Sequence, residues 1–390
     1  MSVSLNIAVQ GCAHGMLNEI YKSLESLSEK PDLLLVLGDF QSLRSPEDYP
    51  SISIPRKYIK LGDFPDYYSG KRVAPVLTIF IGGNHENFAQ LVNLPYGGWV
   101  SENIYYMGYS SVLWYRGVCI GGLSGIYKHW DVLAPPRPTS STDISNRWPE
   151  FVRSLYHVRV SDVLPLLLLQ NTKPQVMMSH DWPRSIENYG NCKELLRYKP
   201  HFAEDIKKGN LGSPLSWTLL TQLQPAWWLS AHLHVRFTAN VNHAVGSKSP
   251  IINDDELLLD LADSGGEEEI DSQTNFLALD KCKRGKRTHL EMIEVPINSE
   301  HPTSHDNSLY WDPEFVAILR FLENDPEAQR AKNQKLSKTD LEALARRILL
   351  PNVTDWQSYR IPEATTDVIQ SPTIQTEHIV KTFLYSGDFK

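Results

Sequence analysis

The chain has 390 residues, 41% hydrophobic, 22% charged and 10% aromatic, which excludes a fibrous, collagen-like or wholly disordered protein and leaves room for a sizeable core. Its net charge of −8 comes from 46 acids against 38 bases and, taken whole, argues against a nucleic-acid partner. Nine of those acids, from Asp254 to Asp271, form a block without Lys or Arg; without them 37 acids face 38 bases, so the remainder can carry a local basic groove.

In chain order, Met1 to Asn6 lacks a basic n-region and an apolar h-region, so secretion is not expected. Asn6 to Val9 reads as a strand ending at Gly11, and Met16 to Leu27 has helical spacing (Leu17, Ile20, Leu24, Leu27). Asp32 to Leu37 is a second strand ending at Gly38-Asp39, and Val76 to Ile81 a third ending at Gly82-Gly83-Asn84-His85. Val112 to Tyr115 and Val118 to Ile120 read as a hairpin. The stretch from about Tyr127 to Glu150, with Pro135-Pro136-Arg137-Pro138, reads as a long loop, and such loops are usually functional or disordered. The apolar run Leu164 to Leu169 is far short of a bilayer span and reads as core helix. Gln175 to Met178 is a strand ending at Ser179-His180, and Ala226 to Leu229 another ending at Ala231-His232. Apolar strands without alternation predict sheets covered on both faces.

The acidic block, about Val245 to Gln273, reads as a linker or insertion. Beyond it, Asn275 to Leu279 and His289 to Val295 read as a strand pair flanking the basic turn Lys281 to Arg287. That turn suits a nuclear localisation signal, an RNA contact or a solvated hairpin tip. Pro313 to Glu323 and Thr339 to Leu349 read as helices, the second opening on a capping box at Thr339 and Glu342. Four well-separated cysteines (Cys12, Cys119, Cys192, Cys282) without a CxxC pair predict neither a disulfide framework nor a structural zinc site, and a reducing compartment is expected.

The chemistry lies in where polar residues fall. Five strand-like runs end in groups able to bind a metal: Cys12-Ala13-His14, Asp39, Asn84-His85, His180 and His232-Leu233-His234. Sites in open α/β sheets form beyond the carboxyl ends of strands, where residues distant in sequence converge. Singly, each has a plainer reading: Gly-Asp is a common turn, a lone His an ordinary polar residue, and His232-x-His234 simple alternation. Their joint occurrence, in order, favours a metal site, and mixed oxygen and imidazole donors suit Mn, Fe or Zn.

This order resembles that of the calcineurin-like metallophosphoesterases, with Cys12 where their pattern has Asp. Longer words are similar to those of the RNA lariat debranching enzymes: Gly11-Cys12-Ala13-His14-Gly15, Gly38-Asp39-Phe40-Gln41, Tyr67-Tyr68-Ser69-Gly70 and Thr78 to Glu86. So are Leu94 to Val100, Tyr156-His157-Val158-Arg159, Ser179 to Ile186 and Ser230 to Phe237. The resemblance is dense over residues 4–242 and thinner over Asn275 to Val295.

The resemblance implies an α/β fold, a two-sheet β-sandwich flanked by helices. It implies a catalytic domain over 1–244 with a lariat-recognition loop at about 124–159, an acidic segment 245–274 and a smaller C-terminal domain over 275–390. The implied reaction is hydrolysis of the 2′-5′ phosphodiester at the branch point of excised introns, giving linear RNA with a 5′-phosphate. Two divalent ions (Fe, Zn or Mn) are implied. His14, Asp39 and His234 would hold the first, with Cys12 in or beside its shell; Asp39, Asn84, His180 and His232 would hold the second. His85 would contact the scissile phosphate and help protonate the leaving 2′-oxygen. Two such cations offset the phosphate charge and activate water. Lariat intron RNA is the implied substrate, spliceosome-associated proteins are candidate partners, neither membrane nor DNA is expected, and the nucleus, with shuttling to the cytoplasm as a variant, is the implied location.

Cys12 reads either as a small buried apolar residue or as a thiolate ligand that retunes the site toward softer ions, with a covalent Cys-phosphate last. In the loop, Tyr127, His129, Trp130, Trp148, Arg153, Tyr156, His157 and Arg159 mix aromatics with cations, which suits splayed bases and a phosphate backbone. Two alternatives stay open: a metallophosphoesterase acting on another phosphoester, and a non-catalytic, spliceosome-associated RNA-binding relative.

Overall fold

A computed structural model describes residues 3–138, 141, 144, 146–243, 259–260, 272–286 and 288–385. The strands are β1 (Ser4–Gln10), β2 (Leu33–Val36), β3 (Thr78–Phe80), β4 (Gly98–Ser101), β5 (Ile104–Tyr106), β6 (Ser110–Tyr115), β7 (Val118–Leu123), β8 (Val176–Ser179), β9 (Trp227–Ser230), β10 (Phe237–Asn242), β11 (Leu259–Asp260), β12 (Gln273–Ala278), β13 (Leu290–Pro296), β14 (Leu309–Trp311) and β15 (Leu336–Ser337). One sheet runs β13-β1-β2-β3-β5-β4, a second β10-β12-β9-β8-β7-β6-β14, and β11 pairs with β15 apart from both.

The two large sheets face each other. Leu5, Ile7, Val9, Leu33, Leu35 and Ile79 of the first pack against Leu113, Ile120, Val176, Met178, Leu229 and Leu277 of the second. The outer faces are also covered, which is why the strands carry little polar alternation. Ala8, Leu34, Val36 and Phe80 meet Leu17, Ile20 and Leu24 of the helix Leu17–Glu25. Cys119, Met177, Trp228 and Phe276 meet the helices Val160–Leu167, Pro214–Leu223 and Pro313–Asn324. This is the expected helix-flanked sandwich, and the run from Leu164 is core helix as read.

The segments Asn275 to Leu279 and His289 to Val295 do not pair with each other. β12 lies between β10 and β9 in the second sheet, whereas β13 lies antiparallel to β1 in the first. The basic turn therefore crosses from one sheet to the other at the strand ends. β14 adds a further C-terminal strand beside β6. Near the end of the chain, Gln375 in the helix Pro372–Ile379 accepts from Trp99 N–H (2.7 Å) and donates to Trp99 C=O (2.8 Å) in β4. Residue 275 is thus a break in composition across which both sheets continue.

Two local readings also change. Within the long loop a helix forms over Trp148–Leu155, with Pro149 in its first turn, where the missing N–H costs nothing. The capping box belongs to Ser337 and Asp340, two residues earlier than Thr339 and Glu342. The acidic stretch lies almost wholly outside the described residues. Among the described residues no helix is long and apolar enough to cross a membrane.

Candidate metal centre

The parallel strands β1, β2 and β3 of one sheet and β8 and β9 of the other deliver their carboxyl ends to one edge. There Cys12, His14, Asp39 and His234 bring one ligand atom each to within 4.8 Å of one another. Nε2 of His14 stands 3.3 Å from Nε2 of His234 and 3.7 Å from Oδ2 of Asp39. The other carboxylate oxygen, Oδ1, lies 3.5 Å from Nε2 of His180, whose ring centroid is 5.1 Å from that of His232. Asp39 therefore stands between two groups of side chains, one on each of its oxygens.

The backbone is bent to present them. His14, Asp39, Gln41, His232 and His234 all adopt left-handed φ (49°, 48°, 61°, 58° and 51°), a conformation that non-glycine residues rarely adopt and that clusters at functional sites. Two glycines are required by close approach: a Cβ on Gly38 would lie 2.3 Å from His180 Nδ1, and one on Gly83 would lie 2.3 Å from Asp39 Oδ1.

Hydrogen bonds fix which atoms are available. His180 Nδ1 lies 2.6 Å from the Leu37 carbonyl, which can only accept. The Nδ1–H therefore donates, and in the neutral ring Nε2 is a lone pair. That lone pair faces the Asp39 carboxylate, is buried and has no hydrogen-bond partner. His85 Nδ1 similarly lies 3.1 Å from the Ser53 carbonyl, and Asn84 Nδ2 lies 3.0 Å from His85 Nε2. Asn84 Oδ1 is thereby left buried and unpartnered. A buried polar atom without a partner asks for an explanation, and at a cluster of metal-binding side chains a cation supplies one. Acceptors facing acceptors are satisfied by a cation, so thiol, imidazoles, carboxylate and amide oxygen together fit divalent metals.

Electrostatics agree. Burial works against ionising Asp39, but positive charge arriving on the neighbouring His180, His14, His85 and His232 outweighs it, and the carboxyl is held well below its usual range. Burial, opposed by Asp39 and reinforced by His85, holds His14 down to about 4. Burial lowers His232 and His234 to about 3. These rings are neutral near pH 7, as ligation requires. Burial and then Asp39 push the Cys12 thiol well above its ordinary value; only a bound cation would draw off its proton.

The sequence reading missed Glu86. It is fully buried, and its Oε1 accepts N–H from Phe40 (2.8 Å) and Gly83 (2.9 Å) while Oε2 accepts from Gln41 (2.8 Å). It thus ties the Asp39 loop to the Asn84 loop. Burial and Asp39 raise it to about 8 against those three N–H bonds. A carboxylate directly after His85 was the available signal. Gln41 Nε2, 3.1 Å from His14 Nδ1, was also missed.

The loop residues fall into two groups. Tyr156 OH lies 3.4 Å from Ser53 Oγ, on the residue whose carbonyl holds His85. His157 Nδ1 pairs with Asp131 at 2.6 Å, and the rings of Tyr156 and Trp130 flank it at 4.8 and 6.1 Å. His129 sits edge-on to Trp130 at 4.8 Å, and Trp130 is 62% exposed. Tyr127 donates its N–H to Asp181 and lies under the Arg184 guanidinium. Arg153 is exposed on the helix 148–155. Arg159 departs from a substrate-contact role: it is buried, donating to the Pro135 carbonyl and to Ser154 Oγ. Trp148 is likewise buried, packed with Phe88 and Ile144.

Residues 5–236 match the calcineurin-like phosphoesterase family, and residues 271–368 match the lariat debranching enzyme C-terminal domain. The chain is 43% identical to the lariat debranching enzyme of Saccharomyces cerevisiae, over 97% of this chain and 99% of that one. It is 43% identical to lariat debranching enzyme A of Xenopus laevis and 41% identical to the lariat debranching enzyme of Homo sapiens, over 81% of this chain in each case. It spans only 54% and 53% of those two relatives.

Proposed function

Because the chain belongs to the lariat debranching enzymes within the calcineurin-like phosphoesterases, we propose that its strand-end cluster hydrolyses the 2′-5′ phosphodiester of branched intron RNA with the help of two divalent ions. The observation that carries the reading is His180 Nε2, buried without a hydrogen-bond partner 3.5 Å from the Asp39 carboxylate, with Asn84 Oδ1 likewise buried and unpartnered on the next strand-end loop. Cys12, His14, Asp39 and His234 would hold one ion, and Asp39, Asn84, His180 and His232 the other. Bound there, the ions would offset the negative charge of the phosphodiester and lower the pKa of water.

The chain's own residues do the rest. Leu37 and Ser53 carbonyls lock the rings of His180 and His85. With Nδ1–H held by Ser53, His85 would deliver a proton from Nε2 to the leaving 2′-oxygen only as the imidazolium, its Nε2 turning from the Asn84 amide to the substrate. The products are linear RNA with a 5′-phosphate and a free 2′-hydroxyl at the branch nucleotide. Fe, Zn or Mn suits the donor set, and Cys12 favours the softer of these; Cys12→Asp should shift preference toward Mn, and unchanged metal content and activity would remove Cys12 from this role. A nuclear location, and contact with spliceosome-associated proteins, follow from where such RNA arises.

The test is cleavage of a synthetic 2′-5′ branched oligoribonucleotide beside a linear 3′-5′ control, with Mn(II), Fe(II) and Zn(II) added singly and in pairs. Release of a 5′-phosphorylated arm from the branched RNA alone supports the proposal. Intact branched RNA under every metal condition, or equal cleavage of the linear control, refutes it.

A further inference from the structure

The metal centre takes up one phosphate and leaves the basic turn after β12 without a role. We propose that Lys281, flanked by Lys199 and Lys283, binds the backbone phosphate next to the scissile one, so that the site reads an oligonucleotide. This deepens the RNA reading above and rests on it.

The fold brings Lys281 to the centre by its backbone. β12 runs parallel beside β9 with Ala278 opposite Ser230, so residues 279–281 continue alongside the segment that leads to His232 and His234. Leu279 N–H donates to the Ser230 carbonyl at 3.1 Å, and Cys282 N–H donates to the Cys12 carbonyl at 2.9 Å. Lys281 is thus held between two peptide groups bonded to the metal-bearing loops. Gly11 is pressed so closely on this segment that a Cβ there would lie 2.0 Å from the Asp280 carbonyl oxygen.

The local charge is unbalanced. Lys281 is half-buried, and among the described residues no carboxylate lies within ion-pair distance of its ammonium group. Asp280, beside it, is engaged elsewhere: Oδ1 accepts the Lys281 backbone N–H at 2.8 Å, and Oδ2 lies 3.7 Å from Lys283 Nζ. Lys199 is lowered by burial, opposed by Asp280, and lowered further by Lys283 and Lys281, so the three ammonium groups share one field. A half-buried lysine without a carboxylate of its own, on a segment bonded to the loops of a site for one phosphate, calls for a second anion. A mononucleotide has no second backbone phosphodiester to offer, and an oligonucleotide has. A receptor for a nuclear-import signal needs an extended accessible segment, which a lysine pinned between Ser230 and Cys12 is not.

The experiment compares wild type, Lys281→Ala and Lys281→Arg as full chains. Binding of a metal-free 2′-5′ branched RNA with several nucleotides on each arm is followed by fluorescence anisotropy across a salt series. Lys281→Ala should weaken binding several-fold and reduce the salt slope by about 0.7, the loss of one phosphate contact in single-stranded RNA, with Lys281→Arg restoring most of both. In Mn(II), the rise in KM should be several-fold larger on that RNA than on a minimal 2′-5′ dinucleotide. An unchanged salt slope, an equal loss on both substrates, or a fall in metal content overturns the proposal. The salt slope is read without turnover, so it decides the role of Lys281 even if the debranching reading fails.

Discussion

Nε2 of His180 and Oδ1 of Asp39 face each other 3.5 Å apart in a buried pocket, and no hydrogen bond joins them. The Leu37 carbonyl fixes this by taking the only proton of the neutral ring on Nδ1. Such an arrangement is unfavourable unless a cation enters. The same carboxylate offers Oδ2 to His14 at 3.7 Å, so one side chain serves both halves of the centre.

His85 should matter for chemistry more than for metal. His85→Gln is expected to lower kcat on branched RNA by ~10²–10⁴-fold, the usual range for losing a general acid, with metal content retained. The loss should be much smaller on a p-nitrophenyl phosphodiester, whose leaving group needs no proton. Equal losses on the two substrates would mean that His85 does not deliver one.

Glu86→Ala removes the acceptor for three buried N–H groups on two ligand loops. Each unsatisfied group costs about 1–3 kcal/mol, and metal affinity should fall roughly 10–100-fold, as when a group orienting metal ligands is lost. Thermal melting and metal titration check both. Unchanged affinity would show that the loops hold themselves.

The histidines set a pH dependence. The unfolded chain takes up protons on these rings below about 6.5, whereas the folded protein resists until about 4 at His14 and about 3 at His232 and His234. The unfolded state therefore binds more protons in that window, and stability is lost as the pH falls through it. Melting temperatures of metal-free protein should decline from pH 7 toward pH 4, less steeply in His234→Asn. A flat profile, or the same slope in the variant, would contradict this.

Two loop substitutions should separate recognition from architecture. Trp130→Ala removes an exposed ring and should cost ~1–3 kcal/mol of RNA binding, the worth of one base stack, with the melting temperature kept. Arg137 is buried, 2.6 Å from Asp162, and donates to the carbonyls of Leu155 and His157. Arg137→Ala should destabilise the fold by ~3–5 kcal/mol, as breaking a buried ion pair does. Val132 and Ile144 are also core residues, so point substitutions test the loop better than deletion. Anisotropy and melting curves read the two effects.

The polar residues after apolar strands were legible because strand ends converge in such sheets, so Asp39, Asn84, His180 and His232 could be gathered from order alone. The partition of β12 and β13 between two sheets was not legible: two strand-like runs around a nine-residue turn look like a hairpin, and strand propensity carries no information on the partner. The helix from Trp148 was hidden by Pro149, although Trp148, Val152 and Leu155 hold helical spacing on its buried face. Arg159 looked like a phosphate ligand because charge is visible in a sequence and burial is not.

Metal stoichiometry tests the central claim most directly. Full chain loaded with Fe(II), Zn(II) or Mn(II), desalted and measured by inductively coupled plasma mass spectrometry, should hold two ions per chain, falling toward one in His180→Ala and further in Asp39→Asn. A chain that retains no ion, or whose metal content is indifferent to both substitutions, would contradict the account.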